Sequence, residues 1–152
     1  TTQAVLAAEV GHLDLAYDYL SEAAFTDLHD LHDNVHNGLH MASLAGAWNG
    51  VVAGFGGMRD HGGHVTFAPR LPPTLNRLAF RMFVRETRLS VEIGRESVTY
   101  RIVSGGPFRT EHHGEPIVVE AGKDLTMPIP PVPHRDAPKQ PHGRRPAHRG
   151  TD

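Results

Sequence analysis

The sequence predicts an α+β fold: a helical first segment, then a small antiparallel β-sandwich, then a disordered tail. Three observations carry that reading. Apolar residues recur at three- and four-residue steps up to about Phe55, the period drops to two after the glycine-rich stretch Gly56-Gly-Met-Arg-Asp-His-Gly-Gly63, and apolar side chains nearly vanish after Pro130. With 152 residues, 39% of them hydrophobic, the chain can build a core without staples. A compact chain of this size buries roughly two-thirds of its unfolded surface.

Two helices are expected first, over Gln3 to Val10 and Leu13 to Phe25, broken at Gly11-His12, with Leu13, Ala16, Tyr17, Leu20 and Ala24 on the apolar stripe of the second. A third runs from about Leu39 to Val52 or Phe55, with Leu44, Trp48 and Val51 on one stripe. Its small residues Ala42, Ala45, Gly46, Ala47 and Gly50 cost helix propensity, so another helix or a ligand should lie close against them. That helix is expected to be buried on most sides, with Trp48 in the core. Arg59-Asp60 should close it and brace the corner before the strands.

In the next stretch Leu78, Phe80, Met82 and Val84 alternate with Ala79, Arg81, Phe83 and Arg85. Leu89, Val91 and Ile93 alternate likewise, as do Val98, Tyr100 and Ile102, with a turn at Gly94-Arg95-Glu96-Ser97. Shorter strands are expected at 108–112, 116–120 and 124–129, completing an antiparallel sandwich with one wet face. The resulting division is a helical part (1–63), a β-sandwich (64–130) and a Pro/His/Arg-rich tail (131–152) too poor in apolar residues to repay the entropy of ordering.

A formal charge of −2 and a tail without interleaved aromatics argue against a nucleic-acid partner. No run approaches the roughly 18 apolar residues of a membrane span. The absence of cysteine removes disulfides and thiolate chemistry and fits a reducing compartment, so the cytoplasm is the expected location. Residues 1–10 have no initiator Met and read as a helix entered midway, as in a piece of a longer chain.

Chemistry concentrates between Asp27 and Asp60. His29, His32, His36 and His40 are spaced three, four and four apart, but Asn34, Asn37 and Gly38 interrupt a helix there and no His-Glu-x-x-His arrangement exists, so no metal is assigned. Gly38 and His40 stand at the start of the third helix, where free N–H groups and the positive dipole end favour an anion such as phosphate, with Ser43 and Asn34 as further donors. The alternative is that His40 and Ser43 cap the helix and Gly38 turns the chain, and the spacing leaves both open. Asp27, Asp30 and Asp33 are read as caps and turn formers rather than a carboxylate pair.

Taken together, Asp27-Leu-His-Asp-Leu-His-Asp-Asn-Val-His-Asn-Gly-Leu-His-Met-Ala-Ser-Leu-Ala-Gly-Ala-Trp, then Gly54-Phe-Gly-Gly-Met-Arg-Asp, Phe67-Ala-Pro-Arg-Leu-Pro-Pro-Thr-Leu and Leu78-Ala-Phe-Arg-Met resemble the C-terminal end of glycoside hydrolase family 65. The resemblance spans about residues 5 to 130. It implies that the helices are the last of an (α/α)6 catalytic barrel and that the sandwich is the family's C-terminal domain. It also implies an inverting disaccharide phosphorylase of the maltose, trehalose or kojibiose type, in which phosphate attacks an α-glucoside to give β-glucose 1-phosphate and the His of Gly38-Leu39-His40-Met41-Ala42 contacts the phosphate. The general acid, a Glu, is expected upstream of Thr1, so no catalytic residue is assigned here. Inorganic phosphate is the co-substrate, no metal or organic cofactor is implied, and a homodimer fits the family's habit. The alternatives are a hydrolase of the same family, or a non-catalytic carbohydrate-associated β-sandwich module needing an exposed row among Phe67, Phe80, Phe83 and Tyr100.

Overall fold

The computed structural model describes residues 1–31, 33, 35–133, 135–136 and 138–148. It divides into two compact units, Thr1–Phe55 with Pro72–Thr74 and Val132–Asp152, and Gly56–Leu71 with Leu75–Pro131.

The first unit holds helices α1 (Thr2–Glu9), α2 (Leu13–Phe25) and α3 (Met41–Asn49), the last running on through a wider π-helical segment, Gly50–Phe55. Small residues set the packing: Ala4, Ala7, Ala8, Ala16 and Ala23 are buried. A Cβ at Gly50 would lie 2.7 Å from Leu20 Cδ1, one at Gly46 would overlap the Thr1 side chain at 1.9 Å, and one at Gly54 would touch the Val5 Cα at 3.6 Å. The close approach expected from the small residues of α3 is therefore present at Gly46 and Gly50, and Gly54 adds one that was not expected. Val52 and Phe55 add the larger apolar mass, each buried side chain stabilising by about 1.5–3 kcal/mol.

The expectation that α3 is buried on most sides, with Trp48 in the core, is corrected. Leu44 is 44% and Trp48 50% exposed, and Gly46 is the buried residue of α3. At 3.6 residues per turn, Leu44 lies about 200° round the helix from Gly46, and Trp48 as far from Gly50. Packing through the glycine face therefore turns the bulky stripe outward.

The buried face of α2 also differs from the expected stripe, comprising Ala16, Asp18, Tyr19, Ser21 and Ala23. Residues after Val132 account for part of this. Tyr19 Oη donates to Gln140 Oε1 at 3.0 Å, His148 Nδ1 lies 3.1 Å from Asp18 Oδ2, and the Ala147 N–H donates to Glu22 Oε1 at 3.1 Å. The segment expected to be a disordered tail has no helix or strand among its described residues, yet it is laid along α2 by these bonds, and its Pro146 is buried. Its many prolines fix φ in advance, so ordering it costs less entropy than ordering a flexible chain.

The second unit is a β-sandwich of two four-stranded sheets. One has the order β1-β2-β6-β7 and the other β3-β4-β5-β8. The strands are β1 (Arg59–His61), β2 (His64–Phe67), β3 (Leu78–Val84), β4 (Thr87–Ile93), β5 (Ser97–Ser104), β6 (Phe108–His112), β7 (Glu115–Val119) and β8 (Leu125–Pro128). Every pair is antiparallel except β2 with β6, which run parallel. The period-two residues face the core as expected: Leu89, Val91 and Ile93 of β4 and Val98 and Tyr100 of β5 are fully buried, in a register that lines up Phe80, Val91 and Tyr100.

Arg59-Asp60, expected to close a helix, instead opens the β1–β2 hairpin. Just before it, Gly57 has φ 60°, and a Cβ there would sit 2.1 Å from the carbonyl oxygen of Ala68. Only glycine fits, and its carbonyl accepts the Ala68 N–H at 3.2 Å. Of the four aromatics that a carbohydrate-binding face would need, Phe67, Phe80 and Tyr100 are buried. Phe83, 69% exposed, lies under the Arg88 guanidinium at 5.6 Å.

One histidine ties the two sheets together. His112, 3% exposed, lies with Nε2 2.8 Å from the Pro128 carbonyl oxygen and Nδ1 2.9 Å from Tyr100 Oη. A carbonyl can only accept, so Nε2 carries the ring proton and Nδ1 of the neutral ring accepts the Tyr100 hydroxyl. Every polar atom of this buried group is thereby satisfied.

Candidate functional site

Between α2 and α3 the chain makes a compact excursion held by its own backbone. Thr26 Oγ1 donates to Glu22 O at 2.8 Å as α2 ends, the His29 N–H returns to Phe25 O at 2.9 Å, and the His29 ring stacks on Phe25 with centroids 4.5 Å apart. Asp30 and Asp33 adopt left-handed conformations with φ 46° and 52°, and Asp30 Oδ1 accepts the Val35 N–H at 3.0 Å, which is the turn-forming role expected of them. A 3-10 turn over Val35–Asn37 leads to Gly38, whose φ of 106° reverses the chain. Nothing stands within 4 Å of where a Gly38 Cβ would be, so glycine is required there by the backbone alone.

The excursion brings Asp27, two residues past α2, against His40, the N-cap of α3. Asp27 Oδ2 accepts the His40 backbone N–H at 2.9 Å, and Oδ1 lies 2.5 Å from His40 Nδ1. The Asp27 side chain is 9% exposed and that of His40 32%. The hydrogen bond from the His40 ring is the chief cause that holds the Asp27 carboxyl below the usual carboxylate range, working against the desolvation that would raise it. A carboxylate here accepts the proton on Nδ1, which leaves Nε2 as the outward nitrogen, without a hydrogen-bond partner among the described residues.

The helix start is partly occupied by its own chain. Besides the His40 N–H given to Asp27, the Met41 N–H returns to Leu39 O at 3.0 Å and the Ser43 N–H to His40 O at 2.9 Å. Of the first three amides of α3, that of Ala42 remains open among the described residues, and Ser43 presents its hydroxyl in the same turn. The expected site residues therefore fall as follows. His40, Gly38 and Ser43 lie on one continuous turn at the head of α3, and Asn34 is outside the described residues. Asp27, read from sequence as a cap or turn former, is the residue that reasoning missed. Its signal was an acid just past one helix and a His just before the next, which only the path of the intervening loop could connect. The described histidines do not gather: no group of three His, Cys, Asp or Glu able to hold a metal ion exists among the described residues. Nor, among them, is any helix long and apolar enough to cross a membrane.

Two family models match the chain in succession, the glycosyl hydrolase family 65 central catalytic domain over residues 1–49 and the family 65 C-terminal domain over residues 58–119. The chain belongs to glycosyl hydrolase family 65. It is 46% identical over 151 residues to an uncharacterized glycosyl hydrolase of Mycobacterium leprae, covering 97% of this chain and 19% of that protein. It is 39% identical over 119 residues to an alpha,alpha-trehalose phosphorylase of Thermoanaerobacter brockii, covering 78% of this chain and 15% of that one. A solved structure assigned as a candidate kojibiose phosphorylase from the human microbiome shares the fold with a TM-score of 0.73 at 22% identity, over 82% of this chain and 17% of its own. The chain thus spans about a fifth of the length of the curated relatives it matches.

Proposed function

We propose that this chain carries the nucleophile-binding side of an inverting disaccharide phosphorylase, which cleaves an α-glucoside of the trehalose, maltose or kojibiose type with inorganic phosphate to give β-glucose 1-phosphate. The observation that carries the reading is the Asp27–His40 pair at the head of α3, which leaves His40 Nε2 and the Ala42 N–H without partners among the described residues, in the same turn as the Ser43 hydroxyl. Two donors beside one acceptor suit hydrogen phosphate, whose oxygens accept from the amide and the hydroxyl while its remaining proton is given to Nε2. The similarity to a trehalose phosphorylase over most of this chain supports it.

In this reading α1 to α3 are terminal helices of an (α/α)6 barrel, and the outward stripe of Leu44 and Trp48 is where further barrel helices pack. Phosphate oxygen attacks the anomeric carbon from the face opposite the leaving sugar, and the C1–O bond breaks as a Glu elsewhere in the barrel protonates the departing oxygen. His40 holds the phosphate in line, with Gly38, Ser43 and Asn34 completing its cradle. Phosphate is a co-substrate, no metal or organic cofactor takes part, the enzyme works in the cytoplasm, and it pairs as a homodimer.

A second reading, hydrolysis, is favoured by the same pair. A neutral His40 ring with its proton on Nδ1 offers a lone pair at Nε2, which can take a proton from water as well as from phosphate. Full-length enzyme assayed on α-linked diglucosides with and without phosphate separates the two. Turnover that needs phosphate and yields β-glucose 1-phosphate supports phosphorolysis, and free glucose at a rate indifferent to phosphate refutes it. In the same enzyme His40→Ala is expected to raise the KM for phosphate about 10- to 100-fold, the scale of one lost charged hydrogen bond, with little change in the KM for sugar. Equal effects on both substrates would remove His40 from the phosphate site.

A further inference from the structure

We propose that Asp27 is the positioning residue for His40: its carboxylate sets both the tautomer and the orientation of the imidazole, so that Nε2 is committed to the nucleophile. The inference rests on the reading of His40 given above and goes one residue beyond it. Asp27 grips His40 at two points, the backbone N–H at 2.9 Å and Nδ1 at 2.5 Å, and one carboxylate doing both fixes the ring relative to the first turn of α3. A singly held imidazole on the surface turns about χ1 and flips about χ2, spreading Nε2 over several positions. Here the backbone bond anchors the carboxylate, and the anchored carboxylate anchors the ring. The two residues are 13 apart in sequence, on opposite ends of the loop, so the same contact also closes that loop.

The chemistry of the two bonds tells the substitutions apart. The His40 backbone N–H is an obligate donor, so an Asn at position 27 must give it its single oxygen, leaving its NH2 against Nδ1. The ring then answers with a bare Nδ1 and moves its proton to Nε2. Asp27→Asn thus keeps the bond that closes the loop while reversing the tautomer, and Asp27→Ala removes both.

The test uses the full-length enzyme with 15N-labelled histidine, assigning the His40 signals by their loss in His40→Ala. The expected wild-type pattern is a proton on Nδ1, passing to Nε2 in Asp27→Asn. Asp27→Ala is expected to raise the KM for phosphate about 10- to 100-fold, the range in which orienting partners of ligand histidines act, while the KM for sugar stays near wild type. The double variant Asp27→Ala/His40→Ala should be no worse than His40→Ala alone, because Asp27 acts through the ring. A tautomer unchanged in Asp27→Asn, or losses that add fully in the double variant, would overturn the proposal. If His40→Ala leaves phosphate handling untouched while the tautomer responds to Asp27→Asn as stated, the phosphate assignment falls and the positioning of the ring by Asp27 stands.

Discussion

Removing one hydroxyl from the centre of the sandwich, by Tyr100→Phe, is expected to cost about 2 kcal/mol. The ring itself is fully buried between the sheets, 5.6 Å from Phe67 and 5.9 Å from His112, and phenylalanine keeps that packing. What is lost is the donor to His112 Nδ1, which cannot recruit a replacement, because His112 is 3% exposed and its other nitrogen is held by Pro128. A net hydrogen bond contributes about 1 kcal/mol, and a buried acceptor left unpaired costs about 1–3 kcal/mol, so the two bracket the figure. Burial already holds the Tyr100 phenol far above its ordinary value, as expected of a hydroxyl with no access to water. Urea unfolding followed by circular dichroism measures the change, with Phe83→Leu as the control, since Phe83 is 69% exposed and its loss should stay within about 0.5 kcal/mol. A Tyr100→Phe protein as stable as wild type would mean that His112 has a second donor and that the proton assignment across Tyr100, His112 and Pro128 is wrong.

Other perturbations test other parts of the argument. Gly57→Ala should cost about 3 kcal/mol, from about 1–2 for a Cβ in the left-handed region plus the 2.1 Å collision with the Ala68 carbonyl. Gly38→Ala, with open space around it, should cost only the first part, and equal losses in thermal unfolding would refute the role given to the collision. Burial is the chief cause that lowers the pKa of His113, so the folded state resists a proton that the unfolded chain takes up. Its contribution is complete above the ordinary histidine value of about 6.5 and is lost as pH falls below it, and His113→Asn, which tolerates the local φ of 49°, should flatten that part of the curve of melting temperature against pH. The Asp27 contribution runs lower: it is present above the ordinary carboxylate value of about 3.8 and lost as pH falls toward its depressed folded value. Asp27→Asn should remove that acid limb alone, and an unchanged limb would show the carboxylate to be unpaired in solution.

Much of this protein was legible from residue order alone, because the signals are local. Leu13–Phe25 appears as a helix with the bounds its periodicity predicts, and the alternation through Leu89–Ile93 and Val98–Ile102 marks the central strands and their inward faces, since side-chain period and backbone geometry are the same fact. The consecutive motif blocks that begin at Asp27, Gly54, Phe67 and Leu78 sufficed for the family. Strands β1 and β2 were not visible, being three and four residues long and set among glycines, too short for a period to register.

What tertiary structure decided is where distant parts meet. The parallel pairing of β2 with β6 joins segments more than 40 residues apart, and no local pattern encodes it. Which side of α3 faces inward was settled by the partner's shape: Gly46 and Gly50 admit the Thr1 and Leu20 side chains more closely than Leu44 and Trp48 can, so close packing outweighed hydrophobicity and turned the stripe out. The same holds at the site. The sequence announced a histidine at the head of a helix, but which of its nitrogens stays free was chosen by a carboxylate 13 residues away, because a hydrogen bond depends on position in space and the fold of the loop alone sets that position.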